Sequence, residues 1–456
     1  GDGAITVFVL DDRLGDDPDI GPSRFRFLRE SLEGLEKDLA SVRGRLVVRR
    51  GPAAETLPHL LAETGASAVY ANAEIGPYPE SRDTEVSAAL EAAGASLRLF
   101  PDALLVEPDA LLSARGEPYT SYSPFARAWD AVEKRTPVPV PTRLAALGMP
   151  GVPLARVRAW KDLEHDGRAP RGGSAEAVRL LAGFMAGKLE GYEQGRDFPA
   201  RDATSRLSPH LHFGTISPRS IAEALAAGRS DRAGSRGDAG AAKFLRELAW
   251  REFFHHILFH FPRVAHESFH REMDAMPWRS DPAALAAWKE GRTGYPLVDA
   301  GMRQLATTHW MHNRARMVAA SFLTKDLHTH WSEGERWFVR ELADADLANN
   351  NGGWQWVAGA GADSAPFFRI FNPVLQSKRF DPDGAYVRRY VPELARVPEG
   401  KIHEPWSMTE EEQRRAGCRI GVDYPGPIVD HAREREVALE GYRRIRKGAR
   451  AAASLQ

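Results

Sequence analysis

DADLANNNGGWQW, residues 344–356, places two carboxylates, three consecutive amides, a Gly pair and two Trp within thirteen positions. Asn and Gly are poor helix formers, and a Trp spacing of two matches no 3.6-residue stripe, so the stretch is expected to be a shaped loop. Gly352 and Gly353 permit unusual backbone angles and close approach of another group, and the amides offer donors and acceptors without charge. That chemistry suits the face of a flat, polar-edged cofactor. It also suits an Asn/Gly turn with a Trp anchored in the core.

Around this stretch the periodicity is helical. Segments 175–190, 217–227, 240–260, 281–290, 296–308, 310–328, 333–343 and 427–447 repeat apolar residues at three and four, so residues 175–456 are expected to form a mostly α module. Most of the Trp fall there. Residues 1–130 read differently: AITVFVL (4–10), RLVVRR (45–50), ASAVYAN (66–72) and ASLRLF (95–100) are strand-like, with helical patterns at 22–41, 53–64 and 81–93 between them. Strands alternating with helices predict an α/β module with a doubly wound parallel sheet. No G-x-G-x-x-G follows any strand, so a dinucleotide site of the usual type is not supported. Pro137, Pro139 and Pro141 favour extended chain, and residues 131–174 read as an interdomain linker.

Composition is that of a globular protein, with 43% hydrophobic and 27% charged residues and a net charge of −1. Charge is unevenly spread: residues 1–130 hold 13 Lys and Arg against 22 Asp and Glu, and the remainder 48 against 40. A mildly basic second module is compatible with a polyanionic partner. Cys418 is the one cysteine, which excludes an internal disulfide framework and fits a reducing compartment. No apolar run approaches about 20 residues. A cytoplasmic protein without membrane association is expected.

Three constellations suggest chemistry. In TSRLSPHLHFGTISPRS (204–220), Thr204, Ser205 and Ser208 put hydroxyls at a helix start, where free N–H groups favour an anion such as a pyrophosphate; an N-cap with nothing bound has the same pattern. Tyr192 and Arg196 upstream could donate to the same ligand. In FLRELAWREFFHHI (244–257), Glu247 and Trp250 share a helix face, and in THWMHNRARMVAASF (308–322) Asn313 and Met317 are an i, i+4 pair, with Arg316 placed to meet a carboxylate. With Trp356 these would line a pocket with aromatic walls and polar groups between them, a lining suited to flipped-out bases.

Taken together, TSRLSP, ELAWREF, TGYPLVDAGMRQL, WMHNRARM, ADADLANNNGGWQW and FRIFNPVLQSKRFDPDGAYVRRYVPEL resemble the photolyase/cryptochrome flavoproteins, most closely the class I cyclobutane pyrimidine dimer photolyases. The resemblance covers about 1–445 and is densest from 190 to 395. It implies an antenna-type α/β domain, a large helical FAD-binding domain, and light-driven repair of UV-damaged DNA by electron transfer from photoexcited reduced FAD. It implies a FAD pocket at Tyr192, Thr204, Ser205, Arg206, Leu207, Ser208, Phe244, Glu247, Arg316, Asp344, Ala345, Asp346 and Asn350. In it Arg316 pairs with Asp344, and Asn350 faces the reactive ring nitrogen of the flavin. Lesion contacts are implied at Glu247, Trp250, Asn313, Met317 and Trp356, and DNA contacts at Arg196, Arg251, Arg314 and Gln376 beside Trp250 and Asn313. Trp354, Trp331 and Trp278, in order outward, match an electron-hopping chain. Arg369, Lys378, Arg379, Arg388, Arg389 and the tail GYRRIRKGAR (441–450) are candidates for gripping phosphates.

The sequence also departs from the family pattern. The arginine-rich opening strand usual in the family is absent before residue 4, so the first βα unit is expected to be missing, and with it part of the antenna pocket. A second chromophore could be a deazaflavin, a folate or a flavin mononucleotide, with 72–83 and Asp102 in the right region to meet it. A cryptochrome would keep fold and FAD but signal; Asn350 in place of the Asp of plant receptors and the intact lesion set argue against it. A (6-4) photolyase would carry a His pair in the WMHNRARM region, where this chain has Asn313. A monomer is expected, associated with the nucleoid when on DNA.

Overall fold

The computed structural model describes residues 3–15, 20–101, 103–144, 149–154, 168–228, 236–364 and 369–453. Asp102, a candidate antenna contact, lies outside them. The chain packs as two compact units, one of Gly1–Glu190, Ser205–Ala265 and Ala343–Ala348, the other of Gly191–Thr204, His266–Leu342 and Asn349–Gln456.

In the first unit the four strand-like runs form β1 (Thr6–Leu10), β2 (Leu46–Arg50), β3 (Ala68–Asn72) and β4 (Ser96–Phe100). β1 and β2 are parallel, in register from Thr6 with Leu46 to Leu10 with Arg50, and β3 and β4 are parallel from Ala68 with Ser96 to Asn72 with Phe100. The single sheet expected from the sequence is realised, among the described residues, as two hydrogen-bonded pairs. Side chains make the layer continuous where the ladder does not. Helix α1 (Pro22–Ser41) puts Leu32 and Leu39 against Leu10, Leu46 and Val48. On the other side, Leu57 and Leu61 of α2 (Ala53–Thr64) join Val86 and Leu90 of α3 (Pro77–Ala92) in a cluster that takes in Val7 and Val9 of β1, Val69 of β3 and Leu97 of β4. Helices on both faces of parallel strands are the doubly wound arrangement.

Helix α4 (Tyr122–Ala131) is not among the helices expected from the sequence. Tyr122, Phe125, Ala126 and Trp129 are buried at helical spacing, and this stripe docks on α7 (Arg236–His260), which follows α5 (Ser174–Gly187) and α6 (Pro218–Ala227). Glu252 of α7 joins the pieces: its carboxylate accepts from the N–H groups of Leu105 at 2.5 Å and Val106 at 3.1 Å and from the Trp129 indole at 2.6 Å.

The second unit is helical, with α8 (Pro296–Thr308), α9 (Asn313–Ser321), α10 (Trp331–Glu341), all but the first two residues of α11 (Leu347–Ala358), and α12 (His431–Ala453) as its main elements. The run 310–328, expected as one helix, is α9 followed by a π-helical turn, Phe322–Asp326. Widening the last turn brings buried Lys325 and Asp326 onto the Arg369 carbonyl, at 3.0 Å, and the His431 imidazole, at 2.5 Å. Among the described residues no helix is long and apolar enough to cross a membrane.

Candidate active site

Residues 344–356 are not a loop. After a turn at Asp344–Asp346 the chain enters α11, and the three amides and the Gly pair lie within it. Tertiary hydrogen bonds override the weak propensity. Asn350 Nδ2 donates to the Glu335 carbonyl at 3.1 Å, Asn351 Nδ2 to the Glu335 carboxylate at 2.9 Å, and Gln355 Nε2 to Asn351 Oδ1 at 3.0 Å. Burial pushes the Glu335 carboxyl up to about 7, against the pull of the Asn351 donor. The helix also explains the two Trp: residues two apart point to opposite sides, so Trp354 is core, at 3% exposed, while Trp356 is half-buried on the other face.

Trp354 packs where α10 has no side chain. A Cβ at Gly334 would lie 2.1 Å from its ring, and Gly334 is one turn along from Trp331. Trp331 is fully buried and donates its indole N–H to Ser268 Oγ at 3.2 Å. Trp278 is half-buried, with its ring edge-on to His330.

On α7, Phe244 is buried against Phe184, with ring centroids 4.7 Å apart, and Glu247 and Trp250 are half-buried one turn apart. One face of Trp250 is covered by Tyr122, stacked at 3.6 Å and 6°. Burial and the nearby Glu247 push the Tyr122 phenol up to about 12. The sequence reading missed Tyr122, although Tyr122, Phe125 and Trp129 carry a helical stripe that could have revealed it. Arg251 donates to the carbonyls of Ala103 at 2.9 Å and Leu211 at 3.4 Å, which fixes its side chain within this unit. Asp344 and Ala345 are buried. Burial alone would raise the Asp346 carboxyl, but His255 at 3.3 Å, His212 at 3.8 Å and the positive field of Arg251 hold it well below the usual range.

The segment at 205–208 is held by Arg206 in the left-handed region, φ +56°, with Leu207 buried and Ser205 Oγ accepting from the Leu207 N–H at 3.4 Å. Ser208 opens a five-residue helix, Ser208–His212, with no side-chain cap. In the second unit Tyr192 is buried under the Arg196 guanidinium, 5.7 Å from its ring, and Thr204 is half-buried. Asn313 is exposed and donates to the Met317 sulfur at 3.8 Å, so this pair meets as expected. Arg314 pairs with Asp197 at 2.9 Å and lies over the Phe380 ring, and Arg316 Nε donates to the Met311 carbonyl at 2.8 Å. Gln376 is half-buried with Oε1 lacking a partner among the described residues. Arg388 is taken up by the carbonyls of Ala395 and Val397, while Arg369, Arg379 and Arg389 stay exposed. His312 is a buried N-cap accepting from the Arg314 N–H at 3.1 Å, and burial lowers it to about 4.

A family model described as the FAD binding domain of DNA photolyase matches residues 244–444, and one described as DNA photolyase matches residues 1–142. A deoxyribodipyrimidine photo-lyase of Agrobacterium fabrum is 42% identical over 97% of this chain and 92% of its own length. The chain belongs to the DNA photolyase family. Among solved structures, a bacterial class III photolyase from Agrobacterium tumefaciens matches with a TM-score of 0.91 at 41% identity, over 98% of this chain and 93% of that one. A Synechocystis cryptochrome matches with a TM-score of 0.88 at 28% identity, over 96% and 93%.

The chain carries a FAD-binding domain, and its residues fit the cofactor. Thr204 is half-buried and Ser208 is exposed at the start of an uncapped short helix, hydroxyl positions that suit phosphate oxygens. With its amide N–H committed to the Glu335 carbonyl, Asn350 has Oδ1 left as an acceptor. A Cβ at Gly353 would meet nothing within 4 Å, so the space beside the helix is open there, at a position where Ala would be the better helix former.

Proposed function

We propose that this protein is a light-driven DNA repair enzyme that splits cyclobutane pyrimidine dimers, a deoxyribodipyrimidine photo-lyase. Bound FAD, in its reduced form, would supply the light-driven one-electron chemistry that opens the cyclobutane ring. The chain's own groups bind, orient and polarise. Asn350 Oδ1 is an acceptor for a protonated ring nitrogen, which favours the reduced cofactor. Hydroxyls at 204–208 hold phosphates, and the Asp344–Asp346 turn meets the adenosine and ring portions. Trp250, backed by Tyr122, offers a stacking face to a dimer flipped out of the duplex, and Trp356, Asn313 and Met317 belong to the lesion-facing set. Glu247 hydrogen-bonds a lesion carbonyl as charge develops on it. Arg196, Arg314 and Gln376 belong to the DNA-facing set.

Within the family the motifs read as class I, while one matching solved photolyase is of class III. The observation that carries the reading is the pairing of Glu247 with a Tyr-backed Trp250 on one helix, in a chain so similar to a curated photo-lyase. Blue-light repair of a dimer-bearing oligothymidine by chemically reduced enzyme tests it. Glu247→Ala should lower repair per absorbed photon more than it weakens binding. An equal loss in both would contradict the assigned role.

A further inference from the structure

His330 lies between two of the three Trp assigned to electron hopping. Its ring centroid is 5.2 Å from that of Trp278, at 77°, and 5.3 Å from that of Trp331, at 33°. The imidazole is also the N-cap of α10: Nδ1 accepts from the Ser332 N–H at 3.2 Å and lies 2.7 Å from the Ser332 hydroxyl. With Nδ1 accepting, the neutral ring carries its proton on Nε2, and the cap fixes the plane of the imidazole. The two indoles are anchored unequally. Trp331 has Ser268 as a hydrogen-bond partner, whereas the buried Trp278 Nε1 has none among the described residues, which leaves packing, the edge-on contact with His330 included, to locate its ring.

We propose that His330 is the positioning residue of the outer electron hop, holding the Trp278 ring in register with Trp331 and keeping an uncharged aromatic bridge between them. This rests on the reading of Trp354, Trp331 and Trp278 as a hopping chain. With bound oxidised FAD as the light-driven one-electron acceptor, an electron lost from Trp354 would be replaced from Trp331 and then from Trp278. Trp278 is thereby oxidised by one electron as the flavin is reduced by one. Its indole N–H proton leaves to water, and an added thiol restores it by giving back a hydrogen atom.

The bridge is titratable. Burial lowers His330 below its ordinary value, and the carboxylates that face it, Asp274 and Glu333, pull in the opposite direction. Neutral at physiological pH, the ring becomes a cation in acid. A positive charge then stands between two indoles that must each carry a hole, and Nδ1 can no longer accept from Ser332.

Flash photolysis of the oxidised holoenzyme, following the long-lived indole radical, tests the proposal. Trp278→Phe is the reference and should abolish that signal. His330→Asn keeps an acceptor for the cap but removes the ring, and should lower the radical yield severalfold. His330→Phe keeps a ring without a titratable nitrogen. The wild type should lose radical yield in acid, and the Phe variant should show no such step. Near-UV circular dichroism of the unilluminated holoenzyme should change in His330→Asn, because the Trp278 ring loses its support. If Trp278→Phe leaves the radical unchanged, the hopping assignment itself fails. If Trp278→Phe abolishes the radical while His330→Asn keeps wild-type yield and circular dichroism, or the Phe variant shows the same acid step, the role of His330 is overturned.

Discussion

Helices α1 and α11 are both regular, yet they are held by opposite means. In α1 an apolar face, with Phe27 fully buried and Leu32 and Leu39 nearly so, packs in the first unit. In α11 the Asn351 amide bonded to Glu335 and one indole over Gly334 are buried beside only small or branched apolar side chains, Ala348, Val357 and Ala358. A helix built for packing advertises itself by its stripe. One built to present a polar face must take its stability from partners distant in sequence, and its composition then resembles a loop.

The sharpest test of that contrast is Phe27→Ala, which should cost about 3–5 kcal/mol, as large core truncations do. Urea denaturation reads it, and a change close to zero would show that α1 does not depend on its stripe. Asn351→Ala should cost less, about 1–3 kcal/mol, because it strands the Glu335 carboxyl and removes the acceptor of Gln355.

The same ladder has a pH signature. The Glu335 carboxyl is raised from 4.5 to about 7 in the folded protein. Its contribution to stability is therefore complete below the unfolded value and is lost as pH rises toward the folded one. Glu335→Gln should flatten the stability profile across that window, and an unchanged slope would remove Glu335 as its source. The smallest expected effect is Gly353→Ala. It should stabilise the apoprotein by about 0.5–1 kcal/mol, since Ala is the better helix former, while lowering FAD retention by filling the space beside the helix. Full FAD occupancy in that variant would mean that the open space over Gly353 is not part of the cofactor site.

Legibility followed the physics of each element. β1 to β4 and α1 to α3 stood close to their expected places because apolar period and turn residues are local signals. α4 escaped because its stripe of Tyr122, Phe125 and Trp129 sits in a stretch with weak flanking signals, and the stack of Tyr122 on Trp250 escaped with it. The pair Asn313 and Met317 was legible, since i, i+4 spacing on a helix is enough to bring them together. The place of His312 as a buried cap is visible only in the fold.

The sequence by itself determined that an α/β module precedes a helical one, that the second carries the motifs of a FAD-dependent photolyase, and which residues crowd into those motifs. Periodicity and motif spacing are properties of neighbours along the chain. Tertiary structure alone decided that 347–358 is a helix, that Trp354 and Trp356 serve opposite faces of it, and that His330 stands between Trp278 and Trp331. Each of these depends on a partner many residues away: Glu335 for the amides, Gly334 for the indole, and two rings some fifty positions apart in the chain for the imidazole.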